Sequence, residues 1–87
     1  MLLKNTFIFK EIGEEGMLIP IIGGNANASK IFNLNETGTY IIKKLLDDYS
    51  IDEIIDSMLD EYDVDRKILE SDVNDFIKEL KKRGFYE

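Results

Sequence analysis

The sequence predicts one α+β domain spanning residues 1–87, in which a three-stranded antiparallel sheet precedes three helices (βββααα). The chain has 87 residues, the length of a single domain. Short apolar runs separated by glycine-rich turns fill residues 1–34, whereas apolar residues at helical spacing fill residues 35–87. When strands come first and helices follow, the helices are expected on one face of an antiparallel sheet.

Three strands are expected in the first part of the chain. Thr6–Ile12 and the apolar run that begins at Gly16 flank a short turn bounded by glycines, which is the pattern of a β-hairpin. Residues 23–28, rich in glycine and asparagine, are typical of a loop. Ser29–Leu34 is the third expected strand, because its side chains alternate between two faces.

The first two helices are indicated by cap residues and by apolar stripes. Asn35 is expected to cap the first helix, and Gly38 on its apolar face indicates a close approach to the sheet. Ser50 and Glu53 have the spacing of a capping box at the start of a second helix, Ile51–Tyr62. The apolar face expected for the first helix comprises Leu34, Gly38, Ile41, Ile42, Leu45, Leu46 and Tyr49.

The third helix is expected to begin at a cap formed by Asp63 or Asp65 and to end at Gly84. Acidic residues lie early in this helix and basic residues late, as the helix dipole favours. Phe85 and Tyr86 are expected to fold back onto the core. The apolar stripe of the helix comprises Leu69, Val73, Phe76, Ile77 and Leu80.

The residue types present exclude several classes of catalytic and metal site. The chain has no histidine and no cysteine, so its serines have no histidine to activate them, and thiolate chemistry and disulfides are absent. An EF-hand calcium loop that begins at Asp63 would need glycine at position 68 and glutamate at position 74, where the chain has Ile68 and Asn74. We therefore expect no catalysis, no metal and no cofactor.

Charge and hydropathy argue against membrane and nucleic-acid partners. The formal net charge is −7, and no apolar run approaches the ~20 residues of a membrane span. Residues 1–10 also lack the long apolar core of a signal peptide, so a soluble cytoplasmic protein is expected. A basic cluster near the end of the chain is explained either by the helix dipole and solvation or by docking of an acidic segment. The cluster comprises Lys78, Lys81, Lys82 and Arg83.

The third predicted strand is the candidate binding edge of the sheet. Ser29–Leu34 is short and nearly uncharged, and a free edge offers unpaired backbone groups to which an extended peptide can add. Alternatively, Ser29–Leu34 is an ordinary edge strand that twist or Lys30 protects from pairing. The sequence pattern leaves both interpretations open. A free edge also permits a weak or strand-exchanged homodimer.

Several motifs of the chain resemble the pyrroloquinoline quinone biosynthesis protein D family (PqqD-like). One is Leu-Asn-Glu-Thr-Gly at residues 34–38, followed by Ile41-Ile42 and the acidic capping box. The resemblance continues to the end of the chain through Tyr62-Asp63-Val64, Asp72-Val73, Phe76-Ile77, Leu80 and Gly84-Phe85. It covers nearly the whole chain, although the first strands match only as a pattern.

The resemblance implies a winged-helix-like RiPP recognition element, a domain that binds the leader segment of ribosomally made, post-translationally modified peptides. It further implies a non-catalytic adaptor that presents this precursor to a modifying enzyme, often a radical S-adenosylmethionine (SAM) enzyme. By this resemblance the leader would pair with the third strand beside the third helix. Because the third helix ends basic, we expect an acidic stretch of the leader to lie toward Lys78, Lys81 and Lys82. An interaction or regulatory module of the same fold outside peptide maturation is the alternative. The positions implied for peptide binding are Ser29, Lys30, Ile31, Phe32, Asn33, Leu34, Val73, Phe76, Ile77, Leu80 and Lys81.

We predict that the domain does not bind DNA at physiological salt. A helix pair beside a small sheet is a common DNA-binding arrangement, in which the start of the second helix of the pair approaches bases and phosphates. Here that segment carries Glu70, Asp72 and Asp75, which would face a polyanion. A salt-sensitive gel shift at low micromolar protein would contradict this prediction.

Overall fold

The computed structural model describes residues 7–86, so the predicted strand start at Thr6 lies outside the described residues. The predicted α+β class, with an antiparallel sheet followed by three helices, is confirmed. In the described part of the chain, no helix has the length and apolar character needed to cross a bilayer. The elements are β1 (Phe7–Ile12), β2 (Glu15–Ile22), β3 (Asn25–Ala26), a 3₁₀ helix (Ala28–Lys30), β4 (Phe32–Leu34), α1 (Glu36–Leu46), α2 (Ile51–Glu61) and α3 (Arg66–Lys82).

Strand β2 is the centre of the sheet. It forms the predicted hairpin with β1 through a register that runs from Phe7 opposite Pro20 to Ile12 opposite Glu15. On its other side, the first half of β2 pairs with β4 and the second half pairs with the two-residue strand β3. All three pairings are antiparallel. Within residues 7–86, β4 therefore pairs with β2 alone and is an edge strand.

The third predicted strand is wrong in its first half. Ser29 and Lys30 lie in the 3₁₀ helix, because the side-chain oxygen of Asn27 accepts hydrogen bonds from the backbone N–H and the hydroxyl of Ser29 at 3.1 and 2.6 Å. Such local side-chain bonds compete with a β-ladder. Ile31 is extended and leads into the true strand, Phe32–Leu34. The expected loop over residues 23–28 also contains β3, which the sequence pattern missed.

The predicted helix starts are confirmed. The side-chain oxygen of Asn35 accepts the Gly38 N–H at 2.8 Å, and the Ser50–Glu53 capping box has both of its bonds, at 3.0 and 3.1 Å. Of the two candidates for the third cap, Asp65 occupies the position. The Glu53 carboxylate accepts hydrogen bonds from Ser50, and the bond from the backbone N–H has the largest effect. These bonds hold the pKa of Glu53 below its ordinary value.

The core lies between the sheet and the three helices. Phe85 and Tyr86 fold back into it as predicted, with 2% and 4% of their surface exposed. Leu46 and Tyr49 were expected on the buried face of the first helix but are exposed, because α1 ends at Leu46 and a left-handed turn precedes Tyr49. The other buried apolar residues are Leu18, Leu34, Ile41, Ile42, Leu45, Ile54, Ile55, Met58, Leu69, Val73, Ile77 and Leu80.

Helices α1 and α3 end in the same hydrogen-bond pattern, the Schellman motif. In each, two backbone N–H groups beyond the helix donate to carbonyls of its last turn, as Phe85 does to Leu80 at 2.9 Å. The motif needs a residue with positive φ. Gly84 has this conformation after α3, as predicted, and Asp48 has it after α1 with φ 63°.

We predict that Asp48→Gly raises the free energy of unfolding by about 1 kcal/mol, because an L side chain costs roughly 1–2 kcal/mol in the left-handed region. The substitution also removes a carboxylate from the negative end of α1. Urea denaturation measures the effect. Asp47→Gly is the matched control: its φ of −86° suits any residue, so glycine there lowers stability. A loss of stability in Asp48→Gly would contradict the prediction.

Candidate functional site

The free edge of β4 is the first component of the site. Its three residues alternate as the sheet requires: Phe32 is half-buried, Asn33 is exposed and Leu34 is buried. β2 covers one side of the strand, and no described strand covers the other. Backbone groups on an edge of this kind are free to pair with an added chain. β4 therefore offers a short pairing edge, fixed in place by a core side chain.

The second component is the face of α3 that packs beside β4. The ring of Phe32 stacks on Phe76 of α3, with centroids 6.0 Å apart, and on Phe85 after α3, with centroids 6.5 Å apart. The guanidinium of Arg83 lies 4.1 Å from the centroid of the Phe32 ring, and its Nε donates to Glu79 at 2.7 Å. We call the surface formed by Phe32, Phe76 and Arg83 the β4–α3 surface. It combines partly exposed aromatic area with a cation held over a ring.

Gly38 fixes the position of Phe76. A Cβ atom at this glycine would lie 3.0 Å from Cε1 of Phe76, closer than side chains normally approach. The expectation that Gly38 approaches the sheet is therefore wrong, because its neighbour is a ring from α3. The absence of a side chain at residue 38 allows Phe76 to pack against α1 while its ring also stacks on β4.

The third component is a concavity of about 550 Å³ next to the N-terminal end of β4. Its walls come from the end of β2, from the 3₁₀ helix with Ile31, and from the turn after α3. Lys30, Lys82 and Arg83 line it, and none of its lining residues is acidic. We call it the basic concavity. Because Arg83 and Ile31 adjoin β4, the concavity is continuous with the β4–α3 surface.

The structure separates the predicted site residues into four groups. Phe32 and Phe76 contact each other on the surface, with Asn33 exposed beside them, and Ser29, Lys30 and Ile31 line the basic concavity. Lys81 is exposed, with its ammonium 5.7 Å from the ring of Tyr86. The remaining four lie in the core, with at most 4% of each exposed: Leu34, Val73, Ile77 and Leu80.

The sequence placed Arg83 in the basic cluster but gave no sign that it lies over Phe32. Its spacing of seven residues from Phe76 puts both side chains on one face of a helix, which is a signal that could have found it. The stacking on Phe32 depends on the tertiary fold and leaves no local signal. Gly38 was singled out, but only the structure identifies its partner.

A separate depression of about 270 Å³ lies between the β1–β2 turn and α1. Tyr40 and Tyr62 meet there edge to face, with ring centroids 6.2 Å apart. Burial raises the pKa of Tyr62. The nearby carboxylates of Glu36, Glu61 and Glu14 raise it further, with smaller effects. Across residues 7–86, no group of three acidic side chains is placed to hold a metal ion. This depression shares no residue with the β4–α3 surface.

Comparison with known proteins yields one family and two similar structures. The family model described as Coenzyme PQQ synthesis protein D (PqqD) matches residues 15–85. The structure of TbiB1 in complex with the TbiA(beta) leader peptide is 28% identical, with a TM-score of 0.87 over 100% of this chain and 95% of that chain. Lasso peptide synthetase B1 complexed with the leader peptide is 24% identical, with a TM-score of 0.80 over 98% and 94%, and shows the fold alone. No curated protein sequence gives a significant match.

We predict that the effect of Gly38→Ala on stability changes sign with residue 76. In the natural chain the new methyl group meets the Phe76 ring at 3.0 Å, and the strain, about 1–3 kcal/mol, outweighs the gain in helix propensity. In a Phe76→Ala background the ring contact is gone and the nearest remaining atom is Asn35 Oδ1 at 3.3 Å, so the gain in helix propensity, up to about 1 kcal/mol, outweighs the smaller strain. Urea denaturation of the four proteins measures the coupling. The same sign in both backgrounds would contradict the proposed contact.

Proposed function

The chain belongs to the Coenzyme PQQ synthesis protein D (PqqD) family, and we propose that it is a non-catalytic adaptor for a ribosomally synthesised precursor peptide. It binds the leader segment of the precursor and presents the rest to a modifying enzyme. Similarity over the whole chain to TbiB1, whose structure contains a leader peptide, supports this proposal. The observation that carries it is the edge of β4, which lies beside the aromatic face of α3.

The leader adds to β4 as a further antiparallel or parallel strand. Backbone hydrogen bonds to Phe32–Leu34 supply affinity that depends little on sequence, and side-chain contacts supply specificity. Phe32 and Phe76 offer the apolar contacts, because both rings are only half-buried. Val73, Ile77 and Leu80 support this surface from the core and hold α3 at a fixed distance from β4.

The chemistry of modification resides in a partner enzyme. The chain lacks histidine and cysteine, and its acidic side chains within residues 7–86 form no metal-binding group. A radical SAM protein is the partner class that we propose for this step. The domain acts by raising the local concentration of the precursor at that enzyme, in the cytoplasm where the precursor is synthesised. A weak or strand-exchanged homodimer formed through β4 stays a prediction. Such a dimer would use the same edge as the leader, so the two would compete.

We expect the precursor to be encoded by a short open reading frame beside the gene of this chain, and a synthetic copy of its N-terminal segment serves as the probe. We predict that Phe76→Ala weakens its binding about ten-fold, because truncation removes an aromatic contact near the centre of the interface. Calorimetric titration of the purified chain measures the affinity.

Ile68→Ala is the matched control for this substitution. Ile68 is an apolar residue on the same helix, 58% exposed and outside the β4–α3 surface. Circular dichroism establishes that both variants are folded. Equal affinities of the two variants would contradict the proposed site, and failure of the natural chain to bind any such leader would favour the alternative, an interaction module outside peptide maturation.

A further inference from the structure

The basic concavity has walls of two kinds, apolar and cationic. The apolar part comes from the end of β2, where Ile21 and Ile22 have 36% and 52% of their surface exposed, and from the buried ring of Phe85. The cationic part comes from Lys30 on one side and from Lys82 and Arg83 on the other. A cavity of about 550 Å³ is large enough for one or two side chains of a bound peptide.

Two of the three cations of this concavity have no ion pair within the described part of the protein. Lys30 and Lys82 form no ion pair within residues 7–86, whereas Lys43 and Arg66 elsewhere on the surface are paired with carboxylates. Arg83 is bonded to Glu79 through Nε, and its two terminal nitrogens have no acceptor among the described side chains. Three cations therefore face one cavity in a chain whose net charge is −7.

The turn after α3 keeps the concavity favourable for an anion. The C-terminal end of a helix normally presents unpaired carbonyl oxygens, which repel a carboxylate. Here the Schellman bonds from Gly84 and Phe85 occupy the carbonyls of Lys81 and Leu80, at 3.1 and 2.9 Å. Lys82 and Arg83 then add positive charge at this end of the helix.

The concavity adjoins the N-terminal end of β4. Ile31 lines the concavity and immediately precedes Phe32, the first residue of the strand. The guanidinium of Arg83 lies over the Phe32 ring and also lines the concavity. A chain paired with β4 that continues past Phe32 would therefore come next to Ile31 and Arg83, two residues that line the concavity.

We propose that the basic concavity is a specificity pocket for one acidic residue of the leader, flanked by an apolar residue that covers Ile21 and Ile22. The inference rests on the proposed function and assigns a chemical requirement to the same peptide. Charge complementarity identifies the occupant as an Asp or Glu side chain, because every charged residue lining the pocket is positive. Neutral leaders would pair with β4 but lack this contact.

The experiment uses the synthetic leader of the neighbouring precursor and a set of copies in which each Asp or Glu is replaced in turn by Asn or Gln. We expect one position at which the amide weakens binding about five- to ten-fold at low salt and by less at high salt, because a partly exposed ion pair is screened. Lys30→Glu and Lys82→Glu should each weaken binding of the acidic leader. A leader with lysine at the sensitive position should recover affinity for Lys30→Glu.

Lys67→Glu is the matched control, since it makes the same change in net charge at the opposite end of α3. If Lys67→Glu lost as much affinity as Lys30→Glu and Lys82→Glu, overall charge would explain the effect, and the proposed pocket would be contradicted. Equal binding of all amide copies would also overturn the pocket, yet it would leave the adaptor function intact. A leader that fails to bind the natural chain would overturn both.

Discussion

Phe76 packs between two other elements, with its ring stacked on Phe32 of β4 and pressed against Gly38 of α1. These contacts set how closely α3 approaches the edge of the sheet. A larger residue at position 38 would move the ring, and a smaller residue at 76 would leave β4 without its neighbour on α3. The shape of the β4–α3 surface therefore depends on a glycine that lies outside it.

Charge is distributed unevenly between the helices and the surroundings of β4. Acidic residues fill α2 and the start of α3, where they cap helices and give the surface a negative charge. Lys82 and Arg83 at the end of α3 lie beside β4 and join Lys30 around one concavity. A domain with a strongly negative total charge thus retains a local positive field at the place where a peptide would pass.

Local side-chain chemistry made much of the fold predictable. Asn35, Ser50 and Gly84 each satisfy backbone groups within four residues, so their signals are contained in short segments of sequence. The hairpin is predictable because its two apolar runs and the short turn bounded by glycines also lie in one short segment of sequence. The boundary at Ser29 failed because the Asn27 side chain bonds locally and replaces the ladder by a 3₁₀ turn.

The details of the site depend on contacts between residues distant in sequence. The apolar stripe of α3 includes both core and surface positions, and periodicity alone does not distinguish Phe76 at its border from Val73 at its centre. The partner of Gly38 and the stacking of Arg83 on Phe32 arise only when α3 is docked. The resemblance to a family identified the two elements of the site, and the structure identified which of their side chains reach the surface.

The central claim is that a leader peptide pairs with β4 beside α3. Amide chemical-shift mapping of the ¹⁵N-labelled chain with the synthetic leader tests it most directly, since it reports on backbone pairing residue by residue. We predict the largest perturbations at Phe32–Leu34 and along α3 from Phe76 to Arg83, with slowed hydrogen exchange in β4. Perturbations confined to α2, or to the turn between β1 and β2, would contradict it.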